Sequence, residues 1–73
     1  MTNLKNVRIA AGLSQSQLAQ QTGVNFRMLQ HYEQGVKNID GAKIETLASL
    51  ARVLNCGISD ILEKPEVVKD VRI

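Results

Sequence analysis

Five side chains between residues 25 and 31 carry the most distinctive chemistry in this sequence: Asn25, Phe26, Arg27, Gln30 and His31. The guanidinium of Arg27 can donate two parallel hydrogen bonds to O6 and N7 of a guanine, and the amide of Gln30 can pair with an adenine. His31 can donate to a guanine or to a phosphate, while Phe26 can contact the methyl group of a thymine. This combination predicts a surface that contacts the edges of DNA bases.

Two of these residues also have structural interpretations that the sequence leaves open. Phe26 could instead pack against the preceding helix or against a partner protein. Arg27 could instead form a salt bridge with Glu33 or with a partner. Tyr32 follows Leu29 by three residues and shares its apolar stripe, so we expect Tyr32 in the core rather than stacked on a base.

Two short helices separated by one break must position these side chains. Ser14 and Gln17 have the S-x-x-Q spacing of a capping box, which predicts a helix from Ser14 to about Thr22. Gly23 is suited to end that helix because glycine adopts the left-handed backbone conformation at little cost. Asn25 is a good N-cap for the second helix. Two short helices joined by a glycine-containing turn form the helix-turn-helix pattern, whose second helix fits the major groove of DNA.

Further helices are expected on both sides of this motif. A first helix covers residues 4–11 and is ended by Gly12. A fourth helix is expected to start at Asp40 or just after it and to end at about Asn55. Its apolar face is predicted from residues at helical spacing, namely Ile44, Leu47, Ala48, Ala51 and Leu54.

The last helix signal lies shortly before the C-terminal tail. Ser59 is expected to cap a short helix, and Pro65 to stop it, because the residue before a proline avoids helical geometry. We therefore expect an all-α fold of five helices in one DNA-binding domain, residues 1–64. The tail, residues 65–73, is expected to be either disordered or paired with another subunit. The predicted core consists of Leu4, Val7, Leu13, Leu18, Ala19, Val24, Leu29, Tyr32, Ile44, Leu47, Ala51, Leu54, Ile61 and Leu62.

Length and composition limit the compartment and the size of the core. A chain of 73 residues buries only about 60% of its unfolded surface, so its core is modest. The single cysteine, Cys56, excludes an internal disulfide and fits a reducing compartment. No apolar run resembles a signal peptide or reaches membrane-spanning length, which favours a cytoplasmic protein.

The net charge of +2 is unevenly distributed along the chain. Residues 1–39 hold four basic side chains against Glu33 alone, a balance of +3, whereas residues 40–73 hold five basic against six acidic side chains, a balance of −1. The positive half contains the two central helices. This distribution favours an anionic partner at that half, although +3 is small for a nucleic-acid-binding surface.

The ordered series of motif residues resembles the phage-repressor and Cro type of helix-turn-helix domain, also called the XRE type. The matching residues, within roughly 4 to 62, are Arg8, Gly12-Leu13-Ser14-Gln15, Leu18-Ala19, Gly23-Val24, Leu29, Glu33, Gly35, Glu45-Thr46-Leu47 and Leu50-Ala51. The resemblance implies a five-helix, lambda-repressor-like DNA-binding fold. In one respect the sequence departs from the commonest family pattern: the distance from Gly35 to Leu47 is longer by roughly one helical turn.

The resemblance also implies roles for individual residues. In this family an arginine placed like Arg8 pairs with a glutamate placed like Glu33, and residues placed like Lys37 and Asn38 contact the DNA backbone. Gln15 lies at a helix N-terminus, where free N–H groups suit a phosphate. In the family, a glutamine at this place contacts the DNA backbone and sometimes a base. The complete set of expected phosphate contacts is Ser14, Gln15, Gln34, Lys37 and Asn38.

The function expected from these features is that of a transcriptional regulator, a repressor, that binds double-stranded DNA as a homodimer. The alternative is a protein-interaction module of the same fold, such as an antitoxin or an anti-repressor, in which Phe26 and Met28 form a docking patch. One histidine, His31, and one cysteine, Cys56, cannot build a closed zinc site. No catalytic set of side chains is evident. We therefore expect no enzyme activity, no cofactor and no small-molecule substrate.

Overall fold

Five α-helices and one short 3-10 turn make up the part of the chain that the structure, a computed structural model, describes: residues 2–63. The elements are α1 (Asn3–Ala10), α2 (Gln15–Thr22), α3 (Phe26–Gln34), the 3-10 turn (Ile39–Gly41), α4 (Ile44–Leu54) and α5 (Ile58–Ile61). The predicted all-α fold of five helices is therefore confirmed. The expectations for the tail, residues 65–73, lie outside the described residues.

The local signals around the central turn act as predicted. The hydroxyl of Ser14 accepts from the backbone N–H of Gln17 at 3.1 Å, and the side-chain oxygen of Gln17 accepts from the N–H of Ser14 at 2.9 Å. Gly23 ends α2 with φ +77°, which a residue with a Cβ adopts only with strain. The side-chain oxygen of Asn25 then accepts from the N–H groups of Arg27 and Met28. The capping bonds fix where α2 and α3 begin, and Gly23 fixes where α2 ends.

The core lies between the inward faces of all five helices. Its most completely buried side chains are Leu4, Leu18, Leu29, Ile39, Leu50 and Ile61. Of the predicted core residues, Val7, Leu13 and Val24 are partly buried and pack against this cluster. Tyr32 is buried as predicted, at 4% exposure. Most of the predicted core is therefore confirmed, and Ile39 and Leu50 are additions to it.

The predicted apolar face of α4 was wrong at two positions. Ile44 is 63% exposed, and Ala48 is also exposed. The buried residues of α4 are Leu47, Leu50, Ala51 and Leu54, which follow the spacing i, i+3, i+4 and i+7. Ala48 lies about 100° around the helix from Leu47 and so faces away. Ile44 is the first residue of α4, and its side chain extends from the end of that face into solvent.

The predicted starts of the last two helices were also wrong. Asp40 belongs to the 3-10 turn, which Asn38 caps by accepting from the Asp40 N–H at 2.9 Å, and α4 begins only at Ile44. Ser59 does not cap α5, because it lies inside that helix. The N-cap position is Gly57, whose N–H donates to the carboxylate of Asp60 at 2.9 Å. The carboxylate three residues inside the helix thus satisfies the N–H at its start.

The burial pattern predicts opposite outcomes for two truncations to alanine. Leu18→Ala removes a side chain with no exposure and leaves a cavity, so we expect it to lower the free energy of unfolding by ~2–5 kcal/mol. Ile44→Ala removes a largely exposed side chain, and we expect a change within about 0.5 kcal/mol. Urea denaturation followed by circular dichroism measures both. Equal losses for the two variants would contradict this assignment of the core.

Candidate nucleic-acid interface

Helix α3 has one buried face and one open face. Leu29, Tyr32 and Glu33 are buried, in keeping with a helical spacing of three to four residues. Phe26 and Arg27 lie in the first turn, and both are exposed, Phe26 to 43%. Arg27 lies on the side opposite Leu29, whereas Phe26, the first residue of the helix, is seven residues before Glu33 and so lies on the same side as Glu33. The N-terminal end of this helix therefore offers its side chains to an external ligand while the opposite face is fixed in the core.

The other three predicted base-contacting residues are either partly buried or already hydrogen-bonded. Gln30 and His31 are half-buried, one turn further along the helix. Asn25 is exposed, but its side-chain oxygen already accepts the two capping hydrogen bonds, which leaves its amide N–H groups for an external acceptor. The five residues thus lie in and around the first two turns of α3. Their contacts with bases remain predictions.

An ion pair between Arg8 and Glu33 anchors the end of α3 to α1. Arg8 Nε donates to Glu33 Oε2 at 2.6 Å, and Arg8 Nη2 donates to Glu33 Oε1 at 3.0 Å. The side chain of Glu33 is 1% exposed and that of Arg8 11%. Arg8 Nη1 also donates to the carbonyl of Leu13 at 2.7 Å, in the connection between α1 and α2. The pairing implied by the resemblance is therefore confirmed.

The same carboxylate also binds the first residue of α2. Gln15 Nε2 donates to Glu33 Oε1 at 3.0 Å, so one carboxylate accepts three hydrogen bonds from two side chains. In addition, the hydroxyl of Thr2 donates to the backbone carbonyl of Glu33 at 3.1 Å. The bond between Gln15 and Glu33 was not predicted, because nothing in the spacing of these two residues indicates that they meet.

The hydrogen bonds of Glu33 show whether it pairs with Arg27. Because its carboxylate is engaged by Arg8 and Gln15, Glu33 is not the partner of Arg27, so a salt bridge between Arg27 and Glu33 was a wrong interpretation. A salt bridge from Arg27 to a partner protein stays an open alternative. Phe26 is 43% exposed, so packing against the protein leaves part of its side chain accessible. Both side chains are therefore available for an external contact.

The loop after α3 is held by backbone bonds. Gly35 ends the helix with φ +78°, and the N–H of Lys37 donates to the carbonyl of His31 at 3.1 Å. The side chains of Gln34, Lys37 and Asn38 are exposed, and the oxygen of Asn38 caps the 3-10 turn. The predicted phosphate contacts in this loop thus start from fixed backbone positions directly beyond α3.

The ion pair adds no net charge to residues 1–39. Arg8 and Glu33 neutralise each other, so the balance of +3 over residues 1–39 comes from Lys5, Arg27 and Lys37. Arg27 and Lys37 are both exposed, one at the start of α3 and the other just after its end. An exposed cation therefore lies near each end of α3.

Cys56 is half-buried, shortly after the end of α4. Burial, and to a lesser degree the negative charge of Asp60, raises the pKa of the Cys56 thiol, which favours the protonated form. Cys56 packs against the core, as expected for a small hydrophobic residue. Within residues 2–63, no three of the histidine, cysteine and acidic side chains are grouped so that they could hold a metal ion. No helix in this range is long and apolar enough to cross a membrane.

The fold and the two-faced α3 define a DNA-binding domain of the lambda-repressor-like class. The helix-turn-helix family model matches residues 4–61, which is most of the chain. The chain therefore belongs to the helix-turn-helix family of the XRE type, a family of DNA-binding regulators. Comparisons with curated proteins and with solved structures returned no significant match.

The buried ion pair predicts that removing one partner is worse than removing both. Glu33→Met leaves the Arg8 charge buried without its carboxylate, and we expect a loss of ~3–5 kcal/mol in the free energy of unfolding. Arg8→Met with Glu33→Met replaces both groups by apolar side chains, and its loss should be smaller than that of Glu33→Met alone. Urea denaturation of the two single variants and the double variant gives the coupling between the sites. Additive losses would show that the pair is not energetically linked.

Proposed function

We propose that this chain is a sequence-specific transcriptional regulator, acting as a repressor, that reads the DNA major groove with the first turns of α3. The observation that carries the proposal is the division of α3 into two faces. Leu29 and Glu33 hold one face in the core, and Arg27 projects from the first turn of the other. Residues at the N-terminal end of a recognition helix are the ones that reach base edges.

Among the base contacts, Arg27 is the strongest candidate for specificity. Its guanidinium is exposed and its charge is not neutralised by Glu33, so it can donate two parallel hydrogen bonds to a guanine. Phe26 adds an apolar surface suited to a thymine methyl group. Gln30 and His31, being half-buried, serve bases that lie close to the helix, and Asn25 contributes through its amide N–H groups.

The phosphate contacts are proposed to flank this helix on both sides. Gln15, with Ser14 beside it, lies at the N-terminus of α2, where backbone N–H groups and the helix dipole favour an anion. Gln34, Lys37 and Asn38 lie at or just beyond the end of α3. Such contacts place the protein on the duplex without specifying sequence. The two groups would hold α3 in the groove from either end.

We propose a homodimer because one recognition helix contacts only a small stretch of DNA. A single module of this kind contacts few base pairs, and domains of this class gain specificity by binding two half-sites together. We propose the surface of α4 and α5 as the interface. Ile44 provides an exposed apolar side chain on α4.

A second candidate function is a protein-interaction module that keeps the fold and binds DNA weakly or not at all. The observation in its favour is the exposure of two large apolar side chains near the start of α3, Phe26 at 43% and Met28 at 37%. On this interpretation they form a docking patch for a protein, as in an antitoxin or an anti-repressor. Arg27 and Lys37 are both exposed, and their positive charges favour DNA instead.

Binding to a random-sequence duplex at several salt concentrations separates the two functions. A DNA-binding protein that neutralises phosphates loses affinity steeply and linearly on a log–log plot as salt is raised. We expect measurable binding at low salt with such a slope. The absence of binding to any duplex at low salt would reject the proposed function and favour the interaction module.

Arg27 and Lys37 are predicted to differ in the kind of contact that they make. Arg27→Ala should cost ~1–3 kcal/mol on a site selected from a random library and should relax the preference at one base position. Lys37→Ala should weaken binding about equally on all sequences and reduce the salt slope by roughly one unit. Salt titrations of both variants on the selected duplex and on a scrambled duplex measure these effects.

The scrambled duplex is the control for base recognition. If Arg27→Ala loses the same affinity on both duplexes, Arg27 contacts only phosphate, and specificity then rests on Phe26, Gln30 and His31. If Lys37→Ala loses affinity on the selected duplex alone, the assignment of Lys37 to the backbone is wrong. Thermal unfolding of both variants should match the wild type, because both side chains are exposed.

Dimerisation is predicted either in the free protein or on DNA. Two recognition helices related by a two-fold axis should bind half-sites about one helical turn apart. Sedimentation velocity of the free protein and of its complex with a selected duplex measures the stoichiometry, which we expect to be two chains per duplex. A single chain both in solution and on DNA would contradict the prediction.

A further inference from the structure

The unexpected hydrogen bond between Gln15 and Glu33 fixes the orientation of the Gln15 amide. Gln15 Nε2 lies 3.0 Å from Glu33 Oε1. In the opposite orientation the amide oxygen would face a carboxylate oxygen, and two acceptors cannot share a hydrogen bond. The amide nitrogen must therefore face inward. One N–H and the amide oxygen of Gln15 remain for an external partner.

The carboxylate that sets this orientation is itself immobilised. Glu33 is held through two hydrogen bonds by Arg8, and Arg8 is held in turn by the carbonyl of Leu13. A buried carboxylate with these partners cannot rotate away without leaving a charge unpaired. Hydrogen bonds thus connect Arg8, Glu33 and Gln15 in series. Arg8 and Glu33 are buried, whereas Gln15 is half-buried.

This series of hydrogen bonds ends at the start of α2. The backbone N–H groups of Gln15 and Ser16 are the first two of the helix, whereas Ser14 accepts from the next two, those of Gln17 and Leu18. The side chain of Gln15 and these two backbone N–H groups thus belong to the same end of α2. A phosphate oxygen there could accept from the side chain and the backbone together.

We propose that Glu33 is a positioning residue of the DNA-binding surface, which sets the Gln15 amide for its phosphate contact. The inference rests on the proposed function and adds a second role to the ion pair. A glutamine side chain that is already ordered loses less conformational entropy on binding than a free one, so the contact is stronger. Glu33 itself touches no DNA.

A thermodynamic cycle in DNA affinity tests this role. Gln15→Ala is measured in the wild type and in the Arg8→Met/Glu33→Met variant, on one duplex selected from a random library. In the wild type we expect about tenfold weaker binding, the size of one hydrogen bond to a charged group. In the variant without the ion pair, where Gln15 is no longer oriented, we expect a loss of less than about threefold. Equal losses in both backgrounds, or no loss in the wild type, would overturn the proposal.

Gln34→Ala is the matched control for a general distortion of the fold. Gln34 is exposed, follows Glu33 directly and is a proposed phosphate contact, but its expected contact with DNA does not depend on the carboxylate. Its loss should be the same in both backgrounds. If the effect of Gln34→Ala also disappears without the ion pair, the whole surface has moved, and a specific positioning role for Glu33 is rejected.

A measurement on the free wild-type protein covers the case in which the variant without the ion pair does not fold. The side-chain amide protons of Gln15 should exchange with water more slowly than those of the exposed Gln20 in NMR spectra. Equal exchange rates would overturn the proposal. Failure of the wild type to bind any duplex rejects the proposed function, whereas binding with equal losses in the cycle rejects the role of Glu33 alone.

Discussion

The buried carboxylate of Glu33 is the constraint on which the rest of this small domain depends. It lies near the end of α3 with 1% exposure, and a charge so placed is tolerated only with partners. Arg8 supplies two hydrogen bonds from α1 and Gln15 supplies a third from α2. Three helices thus meet at one charged group. Because a carboxylate accepts hydrogen bonds only within narrow distances and angles, this meeting point fixes α3 against both of its neighbours.

The consequence for function is that one side of α3 is rigid and the other is free. A chain of 73 residues has a modest core, so hydrophobic burial leaves little excess stability for holding a recognition helix. The ion pair, together with the N-caps at Ser14 and Asn25, fixes the position of α3 and the start of α2 and α3. On the proposed function, the exposed first turn of α3, with Arg27 and Phe26, meets DNA without first being ordered. Preorganisation of this kind lowers the entropic cost of binding.

The parts of this structure that could be predicted from the sequence are those decided by nearby residues. Ser14 with Gln17, and Asn25 with the N–H groups that follow it, are local hydrogen bonds, so the ends of α2 and α3 were predictable. The pairing of Arg8 with Glu33 came from the family resemblance, since 25 residues separate the two. The start of α4 and the exposure of Ile44 depend on how the 3-10 turn and α4 meet the core, which a helical spacing pattern does not contain. The contact between Gln15 and Glu33 has no sequence signal at all.

The central claim is that the open face of α3 reads base pairs as one half of a symmetric dimer. Selection of bound duplexes from a random-sequence library tests it most directly, because one measurement reports binding, sequence preference and symmetry. We expect an enriched palindrome whose half-sites are centred about one helical turn, roughly 10 base pairs, apart, with a guanine at a fixed position in each half. Binding with no enriched sequence would contradict it.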